Sequence, residues 1–472
     1  MDRSEHGRSE KAKFGIAIMA AGKGTRLKSR RPKVLHEVGG KPLVEHVIRA
    51  ATAIVPASDV TVIIGHEADR VRAAVEHLGV NFAVQTEQRG TGHAIQSARE
   101  HLTRFDHILV LSGDAPLIRP ETIAQLRDFH LSENAAMTIL TTIPPDPTGY
   151  GRVIRKLSDS AEVAQIIEQK ALTPDQLTEK EINSGIYAFA AKPLFANIDH
   201  LSTNNSHGEF YLTDMAAILT GENERVVALV SPDIDEVLGA NTIAEMMSLD
   251  AALRMRKARE LMLNGVTIFR PETSVIDTEV EVAADTILEP FVQLLGKTKI
   301  GTDCRIRSYS VVSDSHIGDN VLIRHGCIID QSRISNAALI GPYTHVRPAS
   351  DIGEGAHLGN FVETKKTKLG KGSKANHLSY LGDAVIGEGC NIGAGTITCN
   401  YDGKNKFQTT IGDGVFVGSD STLVAPISLG DNAYVGAASC LTEDVPSNAL
   451  ALGRARQTTK PNWTKRKKEA CD

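Results

Sequence analysis

An aliphatic residue recurs at every sixth position through most of the second half of the chain, and this period constrains the fold more than any other feature. Ile411, Val417, Leu423, Leu429, Val435 and Leu441 form one unbroken series. Ile334, Ile340, Val346, Ile352 and Leu358 form a second, and shorter runs join Ile300, Ile306 and Val312, then Ile317, Ile323 and Ile329. A helix repeats its face every 3.6 residues and a strand every two, so neither yields a period of six. A β-solenoid that turns a corner after each short strand does, because each turn brings the next aliphatic side chain back inside. Three faces of six residues make about 18 residues per coil, so residues 268–450 accommodate roughly ten coils of a triangular prism. Glycine marks the same region: 22 of the 40 glycines fall in the 207 residues 266–472, against 18 in the 265 before them, as repeated tight corners require.

Residues 14–242 read differently. Strand-like runs at Phe14–Met19, Val60–Ile64, Val80–Val84 and His107–Leu111 alternate with helix-like runs at Leu43–Thr52, Ala68–His77 and His93–Leu102. That rhythm predicts βαβ units around a largely parallel sheet. Residues 243–264 are rich in Ala, Leu, Met, Arg and Glu, lack Gly and Pro, and stop before Gly265, which predicts a connecting helix. The expected division is 1–242, a helical linker 243–266, and 267–472.

Composition excludes several classes. Hydrophobic residues at 41% and charged residues at 23% describe a globular chain, and 472 residues exceed one domain. The net charge of −5 supplies no global attraction for nucleic acid or anionic lipid, and aromatics at 4% leave few platforms for base stacking. After thirteen polar residues the apolar run FGIAIMAAG is too short to span a bilayer and reads as a buried strand, so neither membrane insertion nor nucleic-acid binding is expected. Cys304, Cys327, Cys390, Cys399, Cys440 and Cys471 show no metal-ligand spacing, which predicts reduced thiols packed as small apolar residues in a cytosolic setting.

Several segments carry candidate chemistry. After the first strand, AAGKGTRL (residues 20–27) is neither a Walker A motif nor a GxGxxG fingerprint. Gly22 and Gly24 nevertheless let backbone amides approach a phosphate, and Arg26 and Lys33 offer it positive charge. A tight strand-to-helix turn with two solvated cations fits these residues as well. Asp114, in LSGDAPL, falls just past the carboxyl end of a parallel strand, where open α/β sheets bind ligands; it suits Mg²⁺ or a turn before Pro116 equally. Gln85, with an amide that both donates and accepts, stands near the Gly90-Thr91 turn. In the second half the six-residue spacing slips between Leu369 and Ile392, and CNYDGKNKFQTT interrupts it between Thr398 and Ile411. Loops on a rigid scaffold commonly carry function. Nearby Arg347, Lys365, Lys366 and Lys406 read as a solvated face or as an anion site. His377, in KANHLSYLGDA, is a candidate general base near neutral pH. Lys465, Arg466, Lys467 and Lys468 belong to a basic tail expected to be a solvated end.

The motifs AAGKGTRL, PKVLHEVGGKPL, QRGTGHA and GDAPL, in this order, resemble those of the sugar-1-phosphate nucleotidylyltransferase superfamily. GYGRVI (149–154), IIEQKA (166–171), INSGIY (182–187), EFYLTD (209–214) and EVLGANT (236–242) extend the match. With the hexapeptide half, residues 14–460 resemble the bifunctional N-acetylglucosamine-1-phosphate uridylyltransferase/glucosamine-1-phosphate N-acetyltransferase family. The resemblance implies an α/β chain: a Rossmann-like nucleotidylyltransferase domain, a linker helix and a left-handed β-helix, assembled as a homotrimer with acetyl-transfer sites between subunits. It implies that Gln85, Gly90 and Thr91 hold uracil, that Gly22 and the catalytic cations Arg26 and Lys33 hold phosphates, and that Ala20, Ala21, Gly24, Ser112 and Gly113 also contact the nucleotide. Gly151, Glu168, Asn183 and Asn241 would contact the amino sugar, and Asp114 with Asn241 would hold Mg²⁺. Ser112 departs from the pattern, since many relatives carry tyrosine there.

In the second half the resemblance assigns Arg347, Lys365 and Lys406 to the phosphate of glucosamine-1-phosphate, Tyr380 and Asn391 to its sugar, and His377 to proton acceptance. Asn400 and Tyr401 would position the reacting groups, and Ala394, Ser419, Ala437 and Arg454 would contact acetyl-CoA. The expected reactions are acetyl transfer giving N-acetylglucosamine-1-phosphate, then uridylyl transfer from UTP giving UDP-N-acetylglucosamine and pyrophosphate. A monofunctional nucleotidylyltransferase with an oligomerising or effector-binding solenoid, or a non-catalytic regulatory subunit, shares the two folds. His377, Arg347 and the NYDGKNKF loop argue against both, because an inert solenoid needs none of them.

Overall fold

The computed structural model describes residues 12–157, 160–205 and 207–469, so Cys471, the Lys468 side chain and residues 1–11 of the polar leader lie outside it. The chain forms two compact units, one up to Leu253 and one from Arg254.

In the first unit the apolar runs become a nine-stranded sheet. Phe14–Ala20 lies near its centre, parallel to Val60–Ile64 on one side and to His107–Ser112 on the other. Asn81–Val84 completes the first edge. On the far side Ile182–Ala190 runs antiparallel between His107–Ser112 and Met137–Thr142, and Val226–Val230 pairs in parallel with the latter. The strands are buried on both faces, as continuous Val, Ile and Leu runs require, and helices such as Leu43–Thr52 and Pro120–Ser132 cover them. The chain winds outward from Phe14–Ala20 to one edge, then returns to its other side. The carboxyl ends of Phe14–Ala20 and His107–Ser112 therefore flank a topological switch point, where such sheets open a crevice. The helix expected over His93–Leu102 is instead two pieces, Thr91–Ser97 and Arg99–Leu102, because it starts directly after Gly90 and is interrupted at Ala98.

The second unit is a prism of three parallel sheets with 11, 10 and 9 short strands. The sixth-position aliphatics, from Ile300 to Leu441, are buried and form one continuous core. Small hydroxyl residues beside them cap the coils: Thr286 Oγ1 donates to the Gly301 carbonyl at 2.8 Å, and Ser373 Oγ to that of Gly387 at 2.7 Å. Cys304 and Cys390 occupy equivalent inward positions, and burial pushes their thiols above the usual range. Cys327 is likewise buried, and none of the described cysteines is paired in a disulfide. The expectation of packed thiols fails for two others. Cys440 is exposed and Cys399 half-buried, because each lies next to an inward residue, Leu441 and Thr398, and so points outward.

The slip between Leu369 and Ile392 is a step of five from Leu381 to Ile386, and the same short corner recurs from Val312 to Ile317 and from Ile329 to Ile334. It is an ordinary variant of the coil, carried by left-handed residues such as Asp314, Gln331 and Asp383. The insertion after Thr398 is the true departure from the repeat. Trp463–Glu469 forms a short helix with Lys465, Arg466 and Lys467 exposed. No helix of the described residues is long and apolar enough to cross a membrane.

Candidate active sites

At the switch point of the sheet lies a cleft of about 540 Å³. Ala20, Ala21, Gly22 and Gly24 line it from the end of Phe14–Ala20 and the turn after it, Ser112 and Asp114 from the end of His107–Ser112 and the turn after it. Gln85, Gly90 and Thr91 close another side. Gln85 is buried, and its Nε2 donates to the Gly90 carbonyl at 3.0 Å with His93 Nδ1 at 3.2 Å, so the amide is held in one orientation. Gly90 has φ 108°, and a Cβ there would lie 2.5 Å from the Phe210 carbonyl oxygen, so only glycine fits. Gly113 serves the backbone, donating to Met19 O at 3.0 Å.

Charge gathers at one end of the cleft. Lys33 pairs with Asp114, and its Nζ also donates to Asn241 Oδ1 at 3.2 Å. Arg26 Nη2 donates to the same Asn241 oxygen at 2.7 Å, and Ser112 Oγ donates to Asp114 Oδ1 at 2.7 Å. Oxygens of Asp114 and Asn241 thus converge on one positive charge, the Lys33 ammonium. That donor set fits a hard divalent cation, which takes oxygen ligands from one or two protein groups and the rest from water and phosphate. Among the described residues no cluster of three or more His, Cys, Asp or Glu side chains offers a denser metal site.

Gly151, Glu168 and Asn183 form a neighbouring group. Asn183 N donates to Gly151 O at 2.9 Å, its Nδ2 donates to Tyr187 Oη at 2.8 Å, and Glu168 lies beside Gly151. Burial, with the Asp214 charge adding to it, holds the Glu168 carboxyl above its usual range. Tyr150 is near both groups: burial and then the charges of Glu245 and Asp114 raise its phenol, against Arg26. Tyr150, Gln88 and Glu209 are site features that motif reading did not single out, although GYGRVI, QRGTGHA and EFYLTD contain them.

In the solenoid, register assembles the residues. Asn360 pairs with His377, and continuing the pairing of Lys374 and Ala375 with Asn391 and Ile392 sets His377 beside Ala394. Ser419, Ala437 and the turn at Gly453 follow on the same corner, where Asp420 N donates to Ala394 O at 2.6 Å and Ala438 N to Ser419 O at 2.8 Å. Arg454 Nη1 donates to Ala437 O at 2.9 Å. His377 is exposed at the end of its strand. A second column lies on the next face: Arg347 follows Val346, which pairs with Thr364, so it stands beside Lys365, and Tyr380 pairs with Glu363. Arg347 Nη1 binds Glu363 Oε1 at 2.7 Å. Lys406 beside Lys365, and then Arg347, hold the Lys365 ammonium below the usual lysine range, so three cations converge there. Asn400 is buried and donates to Asp383, rooting the inserted loop, while Tyr401 is exposed and its hydroxyl donates to Gly403 O at 2.6 Å. Asn391 stands apart from the cations, on the face that carries His377. Glu363 and Asp383, which orient these groups, had no sequence signal beyond adjacency to Lys365 and to the YLGD turn.

Residues 16–200 match the family model of the MobA-like NTP transferase domain, and residues 408–443 match that of the hexapeptide repeat of succinyl-transferase. The bifunctional protein GlmU of Koribacter versatilis is 65% identical over 97% of this chain and 97% of its own length. That of Solibacter usitatus is 49% identical over 96% and 97%, and that of Clostridioides difficile 43% over 97% and 99%. The chain belongs to the GlmU family. As in GlmU relatives matched nearly end to end, an NTP-transferase half and a hexapeptide transferase half are joined in one polypeptide, and the second half is a left-handed β-helix. The GlmU assignment covers both sites at once, and so disfavours the readings in which the solenoid is inert.

Proposed function

We propose that the chain makes UDP-N-acetylglucosamine in two steps: acetyl transfer from acetyl-CoA to glucosamine-1-phosphate, then Mg²⁺-dependent uridylyl transfer from UTP with release of pyrophosphate. The observation that carries this reading is that a cleft with nucleotide-sized volume and cation-holding oxygens and a solenoid with three convergent cations and an exposed histidine are joined in one chain of the GlmU family. In the first step the amino nitrogen of glucosamine-1-phosphate attacks the thioester carbonyl, His377 accepts its proton, and coenzyme A leaves as the thiol. Arg347, Lys365 and Lys406 balance the sugar phosphate, while Ala394, Ser419, Ala437 and Arg454 line the path of acetyl-CoA and Asn400 and Tyr401 flank the reacting groups. Asn391 and Tyr380 hold the sugar. Because Asn391 and the cationic column lie on different faces, a homotrimer that sets one copy's face beside another's completes the site. The reading places the enzyme in the cytosol.

In the second step an oxygen of the sugar phosphate attacks the α-phosphorus of UTP and pyrophosphate departs. Two anions must meet, so charge neutralisation and alignment carry the catalysis. Arg26 and Lys33 supply fixed charge, Gln85, Gly90 and Thr91 hold uracil, and Gly151, Glu168 and Asn183 hold the amino sugar. Asp114 and Asn241 would hold Mg²⁺, which supplies charge neutralisation and orients the phosphate oxygens. The test is to assay the full chain with each sugar phosphate in turn. Thiol release is expected with glucosamine-1-phosphate and acetyl-CoA, and pyrophosphate release with N-acetylglucosamine-1-phosphate and UTP. Absence of thiol release, or preference for ATP with glucose-1-phosphate, overturns the reading.

A further inference from the structure

Glu236 is fully buried in the short helix Ile234–Val237 and takes no part in the chemistry above. Its carboxylate accepts a hydrogen bond from Thr122 Oγ1 and pairs with Arg119, which also reaches Asp233 at 3.0 Å. Thr122 lies in the first turn of the helix Pro120–Ser132, whose positive N-terminal end favours an anion. These contacts join two segments. One runs from Asp114 to Thr122, the other from Glu236 to Asn241, and each carries a cleft residue at its near end and the Glu236 contact at its far end.

The two segments also touch in the middle. A Cβ placed on Gly239 would lie 2.8 Å from all three carboxyl atoms of Asp114, so the backbone there abuts that side chain. At the near ends Lys33 bridges Asp114 and Asn241. Asn241 N in turn donates at 2.6 Å to Oε2 of Glu245, in the first turn of the helix Ile243–Leu263, which holds the segment where that helix begins. The result is a closed ring of chain and contacts: Asp114, Lys33, Asn241, Glu236, Thr122 and back along the chain to Asp114.

We propose that Glu236 is a positioning residue for uridylyl transfer: its contacts with Thr122 and Arg119 fix the separation of Asp114 and Asn241, and hence their joint hold on the divalent cation and nucleotide. The inference rests on the two-step reading and concerns only its second step. A buried carboxylate that merely stabilised the fold would act on stability and leave the geometry of the cleft alone. Groups that orient metal ligands from behind typically change metal affinity or activity about 10–100-fold when removed.

The test uses the full chain with Glu236→Gln, which keeps the volume and removes the charge, and Thr122→Val, which keeps the shape and removes the hydroxyl. Uridylyl transfer, the half-saturating Mg²⁺ concentration, the Mg²⁺-dependent heat of UTP binding, acetyl transfer and melting temperature are measured on the same preparations. For Glu236→Gln we expect a rise of about tenfold in half-saturating Mg²⁺ and a fall of about 10–100-fold in uridylyl kcat/KM, with weakened Mg²⁺-dependent UTP binding and unchanged acetyl transfer. Thr122→Val should shift the same quantities less, and it decides the matter alone if Glu236→Gln fails to fold. Half-saturating Mg²⁺ and UTP binding within twofold of the parent, whether or not melting falls, overturn the proposal. Wild-type chain that lacks uridylyl transfer would overturn the functional reading instead, and is scored separately.

Discussion

In the solenoid, each row of the proposed acetyl-transfer site runs along one face with its members one coil apart: His377 is in register with Asn360, and Ala394, Ser419 and Ala437 continue that row. In the sheet, Arg26 and Asn241 meet across 215 positions of sequence, and Lys33 reaches the same oxygen from across 208. A periodic scaffold converts sequence spacing directly into spatial adjacency, so each coil adds its residue to a line that is already fixed. An open sheet instead gathers loops from several strand ends at its switch point, and the site exists only where those loops are tied to one another. Substitutions in the sheet site should therefore propagate among Asp114, Lys33, Asn241 and Ser112. In the solenoid they should stay local.

The largest expected effect breaks the sheet site and spares the other. Asp114→Ala removes a proposed metal ligand and leaves Lys33 without its carboxylate partner. Pyrophosphate release from UTP should be lost and acetyl transfer retained. Normal UDP-sugar formation by this variant would remove Asp114 from the metal site, and loss of both activities would mean that the two sites are not separable. Next in size is His377→Ala. Losing a positioned base should lower acetyl-CoA turnover by about 10²-fold or more, with little change in substrate binding. Because His377 is exposed and contributes nothing to the core, melting temperature and oligomer mass should hold. A correctly assembled variant with near-normal turnover would sink the base assignment.

The two units should also part company in acid. His130 is buried in the first unit against His107 at 3.1 Å and Thr138 at 2.8 Å. Burial, and then the neighbouring His107, hold its pKa down from 6.5 to about 4. The folded pKa lies below that of the unfolded chain, so protons favour unfolding as the pH falls. The stability this contributes is complete above about pH 6.5 and is lost toward pH 4, a difference of roughly 3 kcal/mol. Urea titrations at pH 7.5 and 5, read by mass spectrometry of pulse-labelled sheet and solenoid peptides, should show a larger fall in the midpoint of the sheet. Equal shifts in both would locate the acid sensitivity elsewhere.

The same contrast explains what could be read from the sequence. The six-residue period gave away the prism because its inward positions, from Ile300 to Leu441, are set one coil at a time. The strand runs gave the parallel sheet, because both faces of its strands are buried and so demand apolar residues throughout. Residues within one motif, such as Gln85 with Gly90, could be grouped by adjacency. Glu236 could not be joined to Thr122, nor Asn241 to Arg26, because nothing in the spacing of a non-repeating chain records which loops meet. The corner carrying His377 also holds Phe291, Tyr309, Tyr343, Phe361 and Leu378 in left-handed backbone conformation, with two of the ring pairs stacked at 5.2 and 5.6 Å. Glycine or asparagine is the usual choice there, so the sequence pointed to no corner at those residues.

The smallest expected effect is the finest test of whether the sheet site depends on ties between loops. Ser112 Oγ donates to Asp114 Oδ1 at 2.7 Å, a charge-assisted bond between side chains two positions apart at the carboxyl end of a central strand. Ser112→Ala removes that donor and leaves the strand, the backbone turn and Lys33 in place. Hydrogen bonds to charged groups are worth about 1.5–3 kcal/mol, and Asp114 keeps its Lys33 partner, so the loss should fall at or below the lower figure, about tenfold or less in uridylyl kcat/KM. Acetyl transfer should not change. If serine acts only by orienting Asp114, the Ser112→Ala loss should nearly vanish in an Asp114→Asn background, since the orientation of a neutral amide then matters little. A double-mutant cycle measures this coupling directly. Strict additivity of the two substitutions would mean that Ser112 contacts the nucleotide independently, and that Asp114 is held by Lys33 without its help.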